Sequence, residues 1–222
     1  MRPASSQIHL CSVKNGLIAA LAACVCLLVL SVSPADAHRS GPAGPTSGIS
    51  IPALSHGEMA IIAEYRKPIL DLAARMTRND ETFRRLVNYS NIQYSYCLWG
   101  VVPGSITDEE SPFNECSHAY LAATKAVLVY MRDMPENTEA VGALISKLDA
   151  DLVRSGGSFV MCQFSGDPYN TADILSPRWR DVPSHLVSLM SFAGFALMLT
   201  AGVFALLRLT RAPQPSAQTF AS

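Results

Sequence analysis

The chain is 222 residues long, with 49% hydrophobic and 16% charged residues and a formal net charge of −1. No basic stripe with interleaved aromatics runs through it, so nucleic acid is not expected as a partner. The apolar excess gathers at the two ends, which points to membrane-directed segments flanking one domain.

At the N-terminus, Arg2 and Lys14 precede an apolar run from Gly16 to Val32, followed by Ser33-Pro34-Ala35-Asp36-Ala37. A basic region, an apolar core and small residues at Ala35 and Ala37 are the pattern of a secretory signal peptide, with His38 as the expected new N-terminus. Two other readings compete with cleavage after Ala37: a lipoprotein cut at Leu21-Ala22-Ala23-Cys24, and an uncleaved anchor. Loss of residues 1–37 removes Arg2, Lys14 and Asp36 and takes the net charge from −1 to −2. Cys11, Cys24 and Cys26 leave with it, so three of the six cysteines remain, Cys97, Cys116 and Cys162. They are expected in an oxidising compartment, where disulfides persist.

Residues 38–54 read as a Gly/Pro/Ser linker with nothing to pack. From Ser55 the pattern changes. Ser55 and Glu58 have the spacing of a capping box and predict a helix start. Ile62, Tyr65, Ile69, Leu72 and Met76 follow as one helical seam, with Pro68 expected to bend it. A second helix is predicted from Asn79-Asp80, with Phe83, Leu86, Val87 and Tyr94 on its seam and Gly100 as its stop. Residues 92–98 also alternate like a strand, but no partner strand is apparent. The third helix takes Ser111 as cap and Pro112 as first residue, with Cys116, Tyr120, Ala123, Val127, Tyr130 and Met134 as its seam. The fourth opens at Pro135, carries Val141, Ile145, Leu148 and Leu152, and closes at Gly156-Gly157.

Four seams that cannot bury themselves alone predict an up-down-up-down four-helix bundle over residues 55–165. Alternating directions then place the end of helix 2, the start of helix 3 and the end of helix 4 at one pole, with Cys97, Cys116 and Cys162. A disulfide between Cys97 and Cys116 closes a loop of eighteen intervening residues, a staple contributing about 3 kcal/mol in the chain-entropy model. Cys162 is then the spare thiol. The alternative is a metal site built from Cys97, Cys116, Cys162 and His118, with Met161 suited to Cu(I). Against it, oxidised sulfurs do not ligate, and Cys116 and His118 lie two apart, about 200° around a helix. The same angle denies Cys116 a neighbouring base as a catalytic nucleophile.

Asp108, Glu109, Glu110, Asn114 and Glu115 offer oxygen ligands without the spacing of a calcium loop, and read as a solvated acidic lead-in to a helix. Tyr89, Tyr94, Tyr96 and Trp99 read as packing before they read as a ligand platform. His56 and His185 are assigned no chemistry. Asn88-Tyr89-Ser90 is a glycan acceptor only in a eukaryotic secretory route. No hydrolase, zinc-protease or phosphate-loop motif is present, no cofactor is expected, and an enzyme is not the favoured reading. A cell-envelope hydrolase using Glu109, Glu110 or Glu115 lacks motif support.

A polar stalk, residues 166–185, leads to an uncharged run from Leu186 to Leu207. At about 1.5 Å per residue the run is roughly 33 Å long, enough to cross a bilayer core. Small residues at Ala196, Thr200, Ala201 and Ala205 recur on its faces and suit close approach by another helix. Residues 208–222 form the expected cytoplasmic tail. The sequence therefore predicts a single-pass protein of the inner membrane, with its mainly α domain on the periplasmic side. Its expected role is an accessory subunit beside a membrane or periplasmic protein partner. A thiol-redox or metal-handling module centred on Cys97, Cys116 and Cys162 is the competing expectation.

Overall fold

The computed structural model describes residues 48–77, 80–135, 138–156 and 160–210. The expected signal segment (residues 1–37), residues 38–47 of the expected linker and the expected tail from residue 211 lie outside the described residues. The described chain is mostly helical, with α1 (His56–Ala73), α2 (Glu81–Tyr96), α3 (Asn114–Asp133), α4 (Glu139–Ser155) and α5 (Leu186–Thr210). Two-residue strands β1 (Ser50–Ile51) and β2 (Tyr169–Asn170) pair antiparallel, Ser50 opposite Asn170 and Ile51 opposite Tyr169.

Side chains that satisfy free backbone N–H groups begin three of the helices. At α1 the capping box is complete: Ser55 Oγ accepts from the Glu58 N–H at 3.3 Å, and Glu58 Oε2 accepts from the Ser55 N–H at 3.0 Å. Asp80 caps α2 through the Phe83 N–H at 2.8 Å, and Thr138 caps α4 through the Val141 N–H at 3.3 Å. Gly156, at φ 63°, ends α4 in the left-handed conformation that glycine adopts without strain.

Three boundaries differ from the sequence expectation. The third helix begins at Asn114 instead of Pro112, because Ser111 is spent on a turn. Its Oγ accepts from the Phe113 N–H, and its carbonyl accepts from the Asn114 N–H and from Arg178 Nη2. The fourth begins after Thr138, not at Pro135. The second stops at Tyr96, and Leu98, Trp99 and Gly100 follow at φ 51°, 53° and 62°. That left-handed turn swings the chain back so that Cys97 faces α3. The alternating stretch 92–98 is not a strand.

α3 is the centre of the domain. Every residue from Cys116 to Thr124 is buried, more than two full turns, as expected of a helix covered on all sides. Ser90 meets Thr124 at 2.9 Å and Phe83 stacks by Tyr130, so α2 runs antiparallel to α3. His56 lies by His118 and Glu58 pairs with Lys125, so α1 runs in the same sense as α3. α4 leans on α1, where Tyr65 donates to Asp151, and on α3. The predicted seams point inward: Ile62, Ile69, Phe83, Leu86, Tyr120, Val127, Val141 and Leu148 are buried. Each such side chain contributes about 1.5–3 kcal/mol by leaving water.

Two segments expected to be slack are packed. Ile51 and Leu54, within the expected linker, are fully buried, and Tyr169 and Leu175, within the expected stalk, pack on the same core. Gly/Pro/Ser composition hides the three apolar residues of Ile49-Ser50-Ile51-Pro52-Ala53-Leu54 that carry this contact. α5 is joined to the domain without slack: Trp179 meets Phe113 edge-on at 5.4 Å between centroids, and Phe192 closes on both. Residues Leu186–Arg208 form a helix long and apolar enough to cross a membrane, with none of its apolar window buried.

Candidate functional site

Cys97 and Cys116 lie at disulfide distance, with Cα atoms 5.7 Å apart, inside the range a disulfide spans. Both are buried, and Gln93, one turn before Cys97, closes over them. Its Nε2 lies 3.4 Å from Cys97 Sγ and 3.3 Å from Cys116 Sγ, and it donates to the Leu175 carbonyl at 2.6 Å. Its Oε1 accepts from the Leu175 N–H at 3.0 Å. One carboxamide therefore fastens the returning segment across the sulfur pair. Gln93 thus covers the pair, and both sulfurs are buried.

The set Cys97, Cys116, Cys162 and His118 does not assemble as a metal site, because two of its sulfurs face each other and His118 leaves α3 in another direction. That direction brings His118 to Cys162, with Nε2 3.1 Å from Sγ. The third member is His56, the first residue of α1, whose ring centroid lies 5.8 Å from that of His118. One ligand atom from each of His56, His118 and Cys162 lies within 4.8 Å of the others, the only such trio among the described residues.

The trio is held from behind by a serine. Ser165 Oγ accepts from the Cys162 N–H at 2.8 Å and from the His56 N–H at 3.0 Å, and the Gly57 N–H donates to the Val160 carbonyl at 3.1 Å. The turn carrying Cys162 is thereby docked on the first turn of α1. His118 is fully buried, with Phe164 edge-on to its ring at 6.1 Å between centroids. Burial first, and the neighbouring His56 second, push its imidazole down to about 4, so it is neutral at pH 7. Its Nδ1 feels the Leu54 carbonyl without forming a well-aligned hydrogen bond, and Nδ1 of His56 is likewise buried without a partner. Two imidazoles and one sulfur at this spacing are a nitrogen–sulfur donor set.

The remaining sequence candidates are dispersed. Asp108 binds His185 Nε2 at 2.9 Å, and His185 Nδ1 meets Ser188 Oγ at 2.8 Å and accepts from the Ser188 N–H, which caps α5. His185, assigned no chemistry, is thus the joint between the acidic loop and α5. The His185 bond, foremost, holds Asp108 below the ordinary carboxylate range. Asn114 donates to the Ser105 and Ile106 carbonyls, while Glu109 and Glu110 are exposed. Tyr94 meets Tyr120 edge-on and carries the Arg66 guanidinium 3.5 Å from its ring centroid, so its face is filled by the protein's own cation. Tyr96 and Trp99 are exposed.

No protein-family model, no curated protein and no solved structure matches this chain. The reading therefore rests on the geometry. His56 is the residue that sequence reasoning missed. The available signal was position: two histidines near the starts of two helices running in the same sense must share a pole.

Proposed function

We propose that the chain is an exported, single-pass protein of the inner membrane whose helical domain serves as an accessory subunit of a membrane or periplasmic complex. In this reading residues 1–37 direct export and are removed, and α1–α4 form a bundle in up-down-up-down order. α5 tethers the bundle on the periplasmic side. The observation that carries the proposal is the stiff joint between domain and span. Retention alone needs only a loose tether. Here Phe113, Trp179 and Phe192 pack together while Asp108, His185 and Ser188 cap the span, which fixes the height and facing of the domain above the bilayer. A fixed facing serves a subunit that presents one surface to a neighbour in the same membrane. The apolar surface of α5 beyond that joint, with none of its apolar window buried among the described residues, faces lipid or that neighbour.

The experiment is affinity purification of the tagged full-length chain from membranes in mild detergent after in-membrane cross-linking. A stoichiometric membrane or periplasmic protein is the expected result. A chain that runs alone removes the accessory role. Sidedness is checked separately by labelling a cysteine placed at exposed Lys67 with a membrane-impermeant maleimide. Labelling only after the membrane is broken open to the cytosol overturns export.

A further inference from the structure

We propose that His56, His118 and Cys162 form a binding site for a monovalent copper ion. The inference stands apart from the partner reading above and would survive its loss.

The donor set comes first. Two imidazoles and one thiolate, with no carboxylate among them, suit soft and borderline metals and disfavour magnesium, calcium and manganese. Charge then separates the candidates. A monovalent ion with one thiolate and two neutral imidazoles is electrically neutral. A divalent ion on the same ligands leaves a net positive charge at a site whose central ligand is fully buried, which is costly without a counter-ion. Glu58, the carboxylate nearest in the chain, is already committed to Lys125 and to the helix cap. Three ligands also match the low coordination numbers that monovalent copper accepts.

Preorganisation is the second support. The Nε2–Sγ separation of 3.1 Å is already close to that of two ligands on one ion, and the largest separation in the trio is no more than 4.8 Å. The remaining contraction falls to His56, whose side chain is only half-buried. Ser165 fixes the backbones of two of the three ligand residues, the part that outer-shell groups play in metal sites. Binding replaces the thiol S–H bond by an S–Cu bond and releases that proton to solvent, with no change of oxidation state.

The test uses the full-length chain in detergent, without reductant so that the Cys97–Cys116 pair stays intact, titrated anaerobically with Cu(I) against a chromophoric Cu(I) chelator. One equivalent should bind, with an X-ray absorption spectrum of two nitrogens and one sulfur. Cys162→Ser should weaken binding by about 100-fold or more, and Ser165→Ala by about 10-fold. Since His118 is fully buried, His118→Gln risks unfolding that pole. His56→Gln, at a half-buried position, removes a ligand without that risk, and far-UV circular dichroism checks that each variant is folded. No bound copper, affinity unchanged in folded Cys162→Ser or His56→Gln, or retention of Zn(II) against a zinc chelator while Cu(I) is refused would each overturn the assignment.

Discussion

Gln93 concentrates several constraints in one side chain. Its amide covers the two sulfurs and satisfies both backbone groups of Leu175. Gln93→Ala leaves the half-buried N–H and carbonyl of Leu175 without these partners, at about 1–3 kcal/mol each. Urea unfolding should therefore show a loss of about 2–4 kcal/mol with the cysteine pair still oxidised. Gly100 is a second single-residue lesson. At φ 62°, an added Cβ would sit 2.9 Å from Tyr120 Oη, so Gly100→Ala meets both strain and a clash. A loss of about 1–3 kcal/mol is expected, shrinking when the variant is made in a Tyr120→Phe background, since only the φ component then remains. None of this is legible from residue types alone. A glutamine in a helix reads as surface, and the role of Gly100 depends on a tyrosine twenty positions away. The approach of Cys97 to Cys116 was legible, because an eighteen-residue hairpin between antiparallel helices leaves the sulfurs few other places to go.

Among the elements, the helix starts were readable where the cap lies within four residues and compromised where tertiary contacts claim it. Ser55 keeps its hydroxyl for the Glu58 N–H, and Glu58 has a second oxygen to spare for Lys125, whereas Ser111 gives its backbone carbonyl to Arg178 and its hydroxyl to a turn. Two caps also make a prediction about acid. Burial works against an ionised Glu58, but the Lys125 bond and the Ser55 contacts outweigh it. Asp80 is stabilised first by the Phe83 N–H and then by Tyr130. Both carboxyls therefore lie below their ordinary range in the folded chain. A depressed folded pKa stabilises above the unfolded value and is lost as pH falls through the folded one. Denaturation midpoints should hold from pH 7 to 5 and drop below about pH 4. Glu58→Gln, which keeps the box but loses the ion pair, should lower the unfolding free energy at pH 7 by about 1–2 kcal/mol and flatten the acid limb. An unchanged acid limb would mean that other carboxylates dominate.

For the molecule as a whole, the sequence marks out helices and span, but not how the flanking segments are used. The apparent linker and stalk close on each other as β1 and β2 and bury Ile51, Leu54 and Tyr169, a contact too short to leave a period in the sequence. The joint to α5 follows the same logic, since Trp179 and Phe192 lie on opposite sides of the expected membrane border. Trp179→Ala combined with Asp108→Asn should raise amide exchange over residues 186–192 by about tenfold or more while α1–α4 keep their protection. Equal protection in that variant would show that the span is held by something other than this joint.

Ile51 finds its strand partner only once Tyr169 has been made. The strand that precedes the first helix is therefore closed by one of the last segments made before α5, and β1 cannot complete its ladder in a chain that stops short of it.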